Sequence, residues 1–132
     1  MIKKYLFIIF LSSFCFLINL NCQNIDNQNA DSIFNIIDEY PKYPGGEKEL
    51  YKFFLENFSL PQEINVNGNI YVQFIVEKDG SISNVKIIRG IGGGCDEEVV
   101  RVIKLMPNWI PAKKDGQFVR TFVTLPIEIR LD

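Results

Sequence analysis

The chain contains no histidine. That absence removes Ser-His-Asp and Cys-His nucleophile pairs and the commonest metal ligand. Cysteine is scarce: Cys15, Cys22 and Cys95 are the three, and no CxxC pair exists. A zinc site and a thioredoxin-type dithiol are therefore disfavoured. Positive charge is also short. Fourteen Lys and Arg stand against sixteen Asp and Glu, a formal net charge of −2, and no basic run follows the N-terminus. No field for nucleic acid results. There is no Pro-rich spacer and no P-loop Lys-Ser/Thr.

What is present begins with an apolar leader. Lys3 and Lys4 precede Tyr5–Leu20, a run of sixteen largely apolar residues. This is long for a signal-peptide core and short for a membrane span of ~20 residues. Residues 1–22 read as a signal peptide, with a retained anchor as the alternative. Cys22 is a candidate for acylation, although Asn21 is larger than the small residue a lipobox wants. Ordinary cleavage near Cys22 is the competing reading. Residues 23–39 read as a polar linker, with Ile33, Phe34, Ile36 and Ile37 able to add a short strand or a turn of helix. Fully extended, this linker reaches at most ~60 Å.

Residues 40–132 carry folding periodicity. Pro44-Gly45-Gly46 is a turn, after which Leu50, Phe54 and Phe58 recur every four residues, an amphipathic helix that ends before Pro61. Asn69–Glu77 alternates, with Ile70, Val72, Phe74 and Val76 on one face and Tyr71, Gln73 and Ile75 on the other. Asp79-Gly80 is a hairpin turn into a return strand at Ile82–Arg89. A glycine loop leads into a second helix, with Val99, Val102, Ile103 and Met106 as its apolar face and Pro107 as its stop. The last strand, Gln117–Leu131, points Val119, Val123, Leu125, Ile127, Ile129 and Leu131 to one face and Arg120, Thr124, Glu128 and Arg130 to the other. The predicted class is α+β: an antiparallel three-stranded sheet with two helices packed on one face.

Chemical motifs are weak. The glycine run lacks the third Gly of a dinucleotide fingerprint, since Cys95 stands there, and Asp96, Glu97 and Glu98 would repel a phosphate. Those acidic residues are explained by helix-start electrostatics. Cys95 reads as a structural thiol, and Trp109 as a plug at the sheet end. No catalytic, cofactor or metal residue is expected, and the chain is not read as an enzyme. Two features point to binding. Pro126 cannot donate to a ladder, so its strand should be a sheet edge or bulged there, and a long edge can accept another strand. Tyr71, Ile75, Phe118 and Phe122 would form an aromatic patch on the face away from the helices.

From Tyr40 to Leu131 the sequence resembles the C-terminal domain of TonB in the form common in the Bacteroidetes. The matching pieces are Pro41-Lys42-Tyr43-Pro44-Gly45-Gly46, Gly68–Gly80, Gly94-Cys95-Asp96-Glu97-Glu98 with Val99-Val100-Arg101, Met106–Ala112, Gly116 and Leu125-Pro126-Ile127. The resemblance implies a periplasmic module whose last strand pairs with the TonB box of an outer-membrane transporter, driven through ExbB and ExbD. The gripping edge would carry Phe118, Arg120, Phe122, Thr124, Pro126, Glu128 and Arg130. The short tether departs from complete TonB proteins. The alternative reading is therefore a stand-alone envelope scaffold or a homodimer, associating through Tyr71, Ile75, Phe118 and Phe122.

Overall fold

The computed structural model describes residues 6–8, 33, 34, 36–61 and 66–131. Its elements, in order, are β1 (Leu6–Ile8), α1 (Glu47–Asn57), β2 (Gly68–Val76), β3 (Ile82–Arg89), α2 (Cys95–Lys104), β4 (Ala112–Lys114), β5 (Gln117–Val119) and β6 (Thr121–Arg130). The α+β class is as the sequence implies. Antiparallel β6, β2 and β3 form the sheet, β1 is added outside β6, and β4 and β5 form a separate hairpin.

The helices form where apolar spacing and turn residues agree. Gly46, at φ 84°, ends the turn ahead of α1, and Glu47 and Glu49 lie in the first turn, where the helix dipole favours them. Leu50 and Phe54 of α1, with Val99, Val102 and Ile103 of α2, are buried against Ile70, Val72, Phe74 and Val76 of β2 and Leu125, Ile127 and Ile129 of β6. Each side chain so buried contributes roughly 1.5–3 kcal/mol, so this layer dominates stability. The helices are also tied by charge. Glu98 accepts from the Ser59 N–H at 2.9 Å and pairs with Arg101, which donates to the Asn57 carbonyl at the end of α1. Asp96 holds the glycine loop, accepting from the N–H groups of Ile91 (3.0 Å) and Gly92 (3.1 Å).

Trp109 is buried and belongs to the core. Its ring meets Tyr43 and Phe74 edge-on, with centroids 5.6 Å and 5.4 Å away. The turn at Asp79-Gly80 docks beside it: the backbone N–H of Trp109 donates to the Gly80 carbonyl at 2.8 Å. A Cβ on Gly80 would lie 2.0 Å from the Trp109 carbonyl oxygen, and φ is +88°. Glycine is required there on both counts.

Three sequence expectations shift. The last strand is interrupted at Arg120, where pairing passes from β4 to β2. Ile75 is buried, at 1% exposure, not in water, so the aromatic patch loses its centre. The apolar residues before Tyr40 make neither a regular strand nor a helical turn but a strap held by isolated bridges.

Candidate functional site

β6 runs beside β2 in nine consecutive pairs, from Gly68↔Ile129 to Val76↔Thr121, without a register slip. Its other edge is the candidate site. Burial alternates from Val119 to Ile129, so the strand is continuously extended. The Arg120 carbonyl accepts from the Phe34 N–H at 3.1 Å on the side away from β2. Successive backbone groups of a strand point to opposite sides. The even-numbered N–H and C=O groups of β6 therefore face outward, and the odd-numbered ones face β2. Pro126 is even, so its missing N–H falls on the outer edge and costs the β2–β6 ladder nothing. This is the edge position its sequence predicts.

The opposite edge of the sheet is protected. β3 carries register irregularities against β2 between Tyr71 and Val72 and between Gln73 and Ile75, and Asn84 takes φ +49°. Exposed Lys86 and Arg89 lie on the same strand. Bulges and charges are the usual means of discouraging edge pairing. The hairpin is protected as well. The strap pairs with β4 through Glu39↔Lys113, with Ile110 just ahead of β4 through Lys42, and with the Arg120 end of β6 through Ile33. Thr121 Oγ1 donates to the Phe34 carbonyl, Lys114 Nζ lies 4.6 Å from the Phe34 ring centre, and the Asp115 N–H donates to Asp38 Oδ2. At the far end of β6, Leu6–Ile8 pairs antiparallel with Glu128–Arg130. Among the described residues, the outer backbone of 122–127 is the stretch of β6 that no strand covers.

The expected binding residues are only partly brought together. Phe122 (40% exposed), Thr124, Pro126, Glu128 and Arg130 share the face away from the helices, with Tyr71 paired to Pro126 and buried Ile75 to Phe122. Phe118 lies apart on the hairpin, opposite Lys113, whose Nζ is 5.2 Å from the ring centre. Arg120 is bound to Glu77 by two hydrogen bonds, 2.6 Å and 3.1 Å, and holds that carboxyl below its usual pKa. Arg130 pairs with Glu128. Cys22 lies outside the described residues. The strap and the Leu6–Ile8 pairing were not assigned to the site from sequence, although the Ile33-Phe34 pair inside a polar segment was a visible signal.

The charged groups are occupied structurally. A depression of about 380 Å³ is lined by Glu77, Lys78, Asp79, Ser81 and Arg120, but Arg120 pairs with Glu77 there, and Asp79 is held by Ser81, which lowers its pKa. Burial, with Asp96 and Glu97 nearby, pushes the Cys95 thiol up, away from thiolate reactivity. Among the described residues no cluster of three metal-ligating side chains occurs, and no helix is long and apolar enough to cross a membrane.

These observations define a class: a small α+β module with one bulged sheet edge and one regular edge that is partly open. The chain belongs to the family described as Gram-negative bacterial TonB protein C-terminal, whose model matches residues 61–131, 71 of the 132. Membership ties the domain to energy-coupled transport across the cell envelope. No curated protein and no solved structure matches the chain.

Proposed function

We propose that this domain is a periplasmic binding module that takes an extended segment of an outer-membrane transporter as an added strand on β6. The observation that carries the reading is the contrast between edges: β3 is bulged and charged, whereas β6 is regular and, among the described residues, has no strand on the outer backbone of 122–127. Main-chain hydrogen bonds supply affinity in such additions, and alternate side chains supply selectivity. Phe122, Thr124, Pro126, Glu128 and Arg130, with Tyr71, would contact the partner on the face away from the helices.

Titration of the 15N-labelled protein with a TonB-box peptide of a cognate transporter tests this. The expected result is shifts concentrated on the amides of residues 122–127 and their neighbours on β6. Shifts confined to β3, or none with any cognate box, refute it. The scaffold or homodimer reading has less support, because Ile75 is buried and Phe118 is separated from Phe122. Motor coupling through ExbB and ExbD, and membrane attachment at the leader or Cys22, belong to the same reading.

A further inference from the structure

The acceptor edge of β6 ends at a fixed point, and the strap makes that point. We propose that Ile33-Phe34 is a stop that sets the register of the incoming segment, whose footprint begins at Phe122 and cannot slide toward Arg120. The proposal rests on the strand-addition reading and adds what decides position along the edge.

A regular edge has no register of its own. Sliding an added strand by two residues keeps its side chains on the same faces, and nine unbroken pairs make β6 regular. Pro126 marks one position, because no donor stands there. Ile33-Phe34 marks another. Ile33 bridges Arg120 in the parallel sense, and the Phe34 N–H donates to the Arg120 carbonyl at 3.1 Å. That carbonyl is the outward acceptor next to Phe122 on this edge. A segment paired to Phe122 therefore meets Phe34 one two-residue repeat farther on, about 7 Å along the strand.

Displacing the stop is unfavourable for a peptide. It frees one acceptor, the Arg120 carbonyl, but breaks at least two hydrogen bonds, because Thr121 Oγ1 also donates to the Phe34 carbonyl at 2.9 Å. Thr121 is 4% exposed, so its hydroxyl would be left buried without that acceptor. The strap is also fastened to the hairpin just beyond. The Asp38 and Glu39 N–H groups donate to the Lys113 carbonyl at 2.8 Å and 3.1 Å, the Lys113 N–H donates to the Glu39 carbonyl at 3.0 Å, and Lys42 and Ile110 exchange two bonds. This fastening holds Phe34 at a high effective concentration against any free competitor. The strap follows residues 1–22, so it stays with the domain whether that leader is cleaved or retained.

The test uses the full chain beside two variants. Phe34→Pro removes the donor to Arg120, and Thr121→Val removes the second bond with little change of shape. The probes are a nine-residue TonB-box peptide of a cognate transporter and two longer forms, each extended by two residues at one end. Hydrogen exchange at the Phe34 amide of the parent is the first readout. The expected result is slow exchange in the free protein that stays slow when the peptide is bound. Loss of that protection on binding shows that the strap yields, and overturns the stop. The second readout is the affinity of the extended peptides. One extension is expected to add nothing in the parent but to tighten binding about two- to tenfold in the variants, as one hydrogen bond to the freed Arg120 carbonyl would allow. An extension that gains equally in all three proteins, or the absence of any gain in both variants, overturns the proposal. A peptide that shifts no β6 amide in any of the three is a different failure: it refutes the strand-addition reading, and the stop with it.

Discussion

Proline substitution at Thr124 and at Val123 should have opposite consequences, although the residues are neighbours. The Val123 N–H faces β2 and pairs with Phe74. Val123→Pro removes that bond, worth about 1 kcal/mol net, and strands the Phe74 carbonyl at a further ~1–3 kcal/mol, so a loss of about 3 kcal/mol is expected. The Thr124 N–H faces outward, as does the position of Pro126, which the strand already tolerates. Thr124→Pro should therefore cost the fold no more than about 1 kcal/mol, while removing one outward donor of β6 that a partner strand would use. The loss of one neutral hydrogen bond, ~0.5–1.5 kcal/mol, weakens peptide binding about two- to tenfold. Trp109, the single tryptophan, lies buried against Phe74, so its fluorescence in urea titrations reports β2–β6 integrity. Box-peptide affinity comes from calorimetry on the same samples. The assignment of the even-numbered groups to the outer edge fails if Thr124→Pro unfolds as readily as Val123→Pro, or if both retain full peptide affinity.

Gly80→Ala and Gly116→Ala form a second pair. Both glycines have positive φ, +88° and +74°, but a Cβ meets the Trp109 carbonyl at 2.0 Å in the first and nothing within 4 Å in the second. Urea denaturation should show a loss of about 1 kcal/mol for Gly116→Ala and roughly 3 kcal/mol for Gly80→Ala, from left-handed strain alone against strain plus displaced packing; equal losses would contradict the contact. Glu77 and Glu98 are held below their ordinary pKa by hydrogen bonds from Arg120 and Arg101. The unfolded chain then binds more protons, so the stability they contribute is complete above the unfolded carboxylate pKa and disappears as pH falls through the folded one. Glu77→Gln with Glu98→Gln should flatten the decline of stability below about pH 5, and an unchanged slope would show these pairs to be idle.

Much of the fold is legible because periodicity and turn chemistry agree. Leu50 and Phe54 mark the buried stripe of α1, and Ile70, Val72, Phe74 and Val76 alternate as a half-buried strand should. Asp79-Gly80 punctuates β2 and β3 where the turn occurs. Pro126 signals an edge through a missing donor, a chemical fact independent of packing. What local patterns miss is long-range. Ile75 sits at the right phase to face water, yet it is buried beside Phe122 at 1% exposure. Phe118 and Phe122 are four apart on what reads as one strand, but the interruption at Arg120 puts them in different sheets. The strap depends on pairings across more than seventy residues, such as Glu39 with Lys113, and no window of sequence contains both partners.

The strap also alters what counts as the unit. The family match opens at Pro61, but β4, Ile110 and the Arg120 end of β6 receive partners from Glu39, Lys42 and Ile33. A fragment cut at the family boundary would lack both covers, together with the whole of α1. It would present fresh, regular edges free to recruit neighbouring molecules. Self-association of such a fragment would then report the cut, and a binding measurement made on it would sample surfaces that the complete chain keeps for itself.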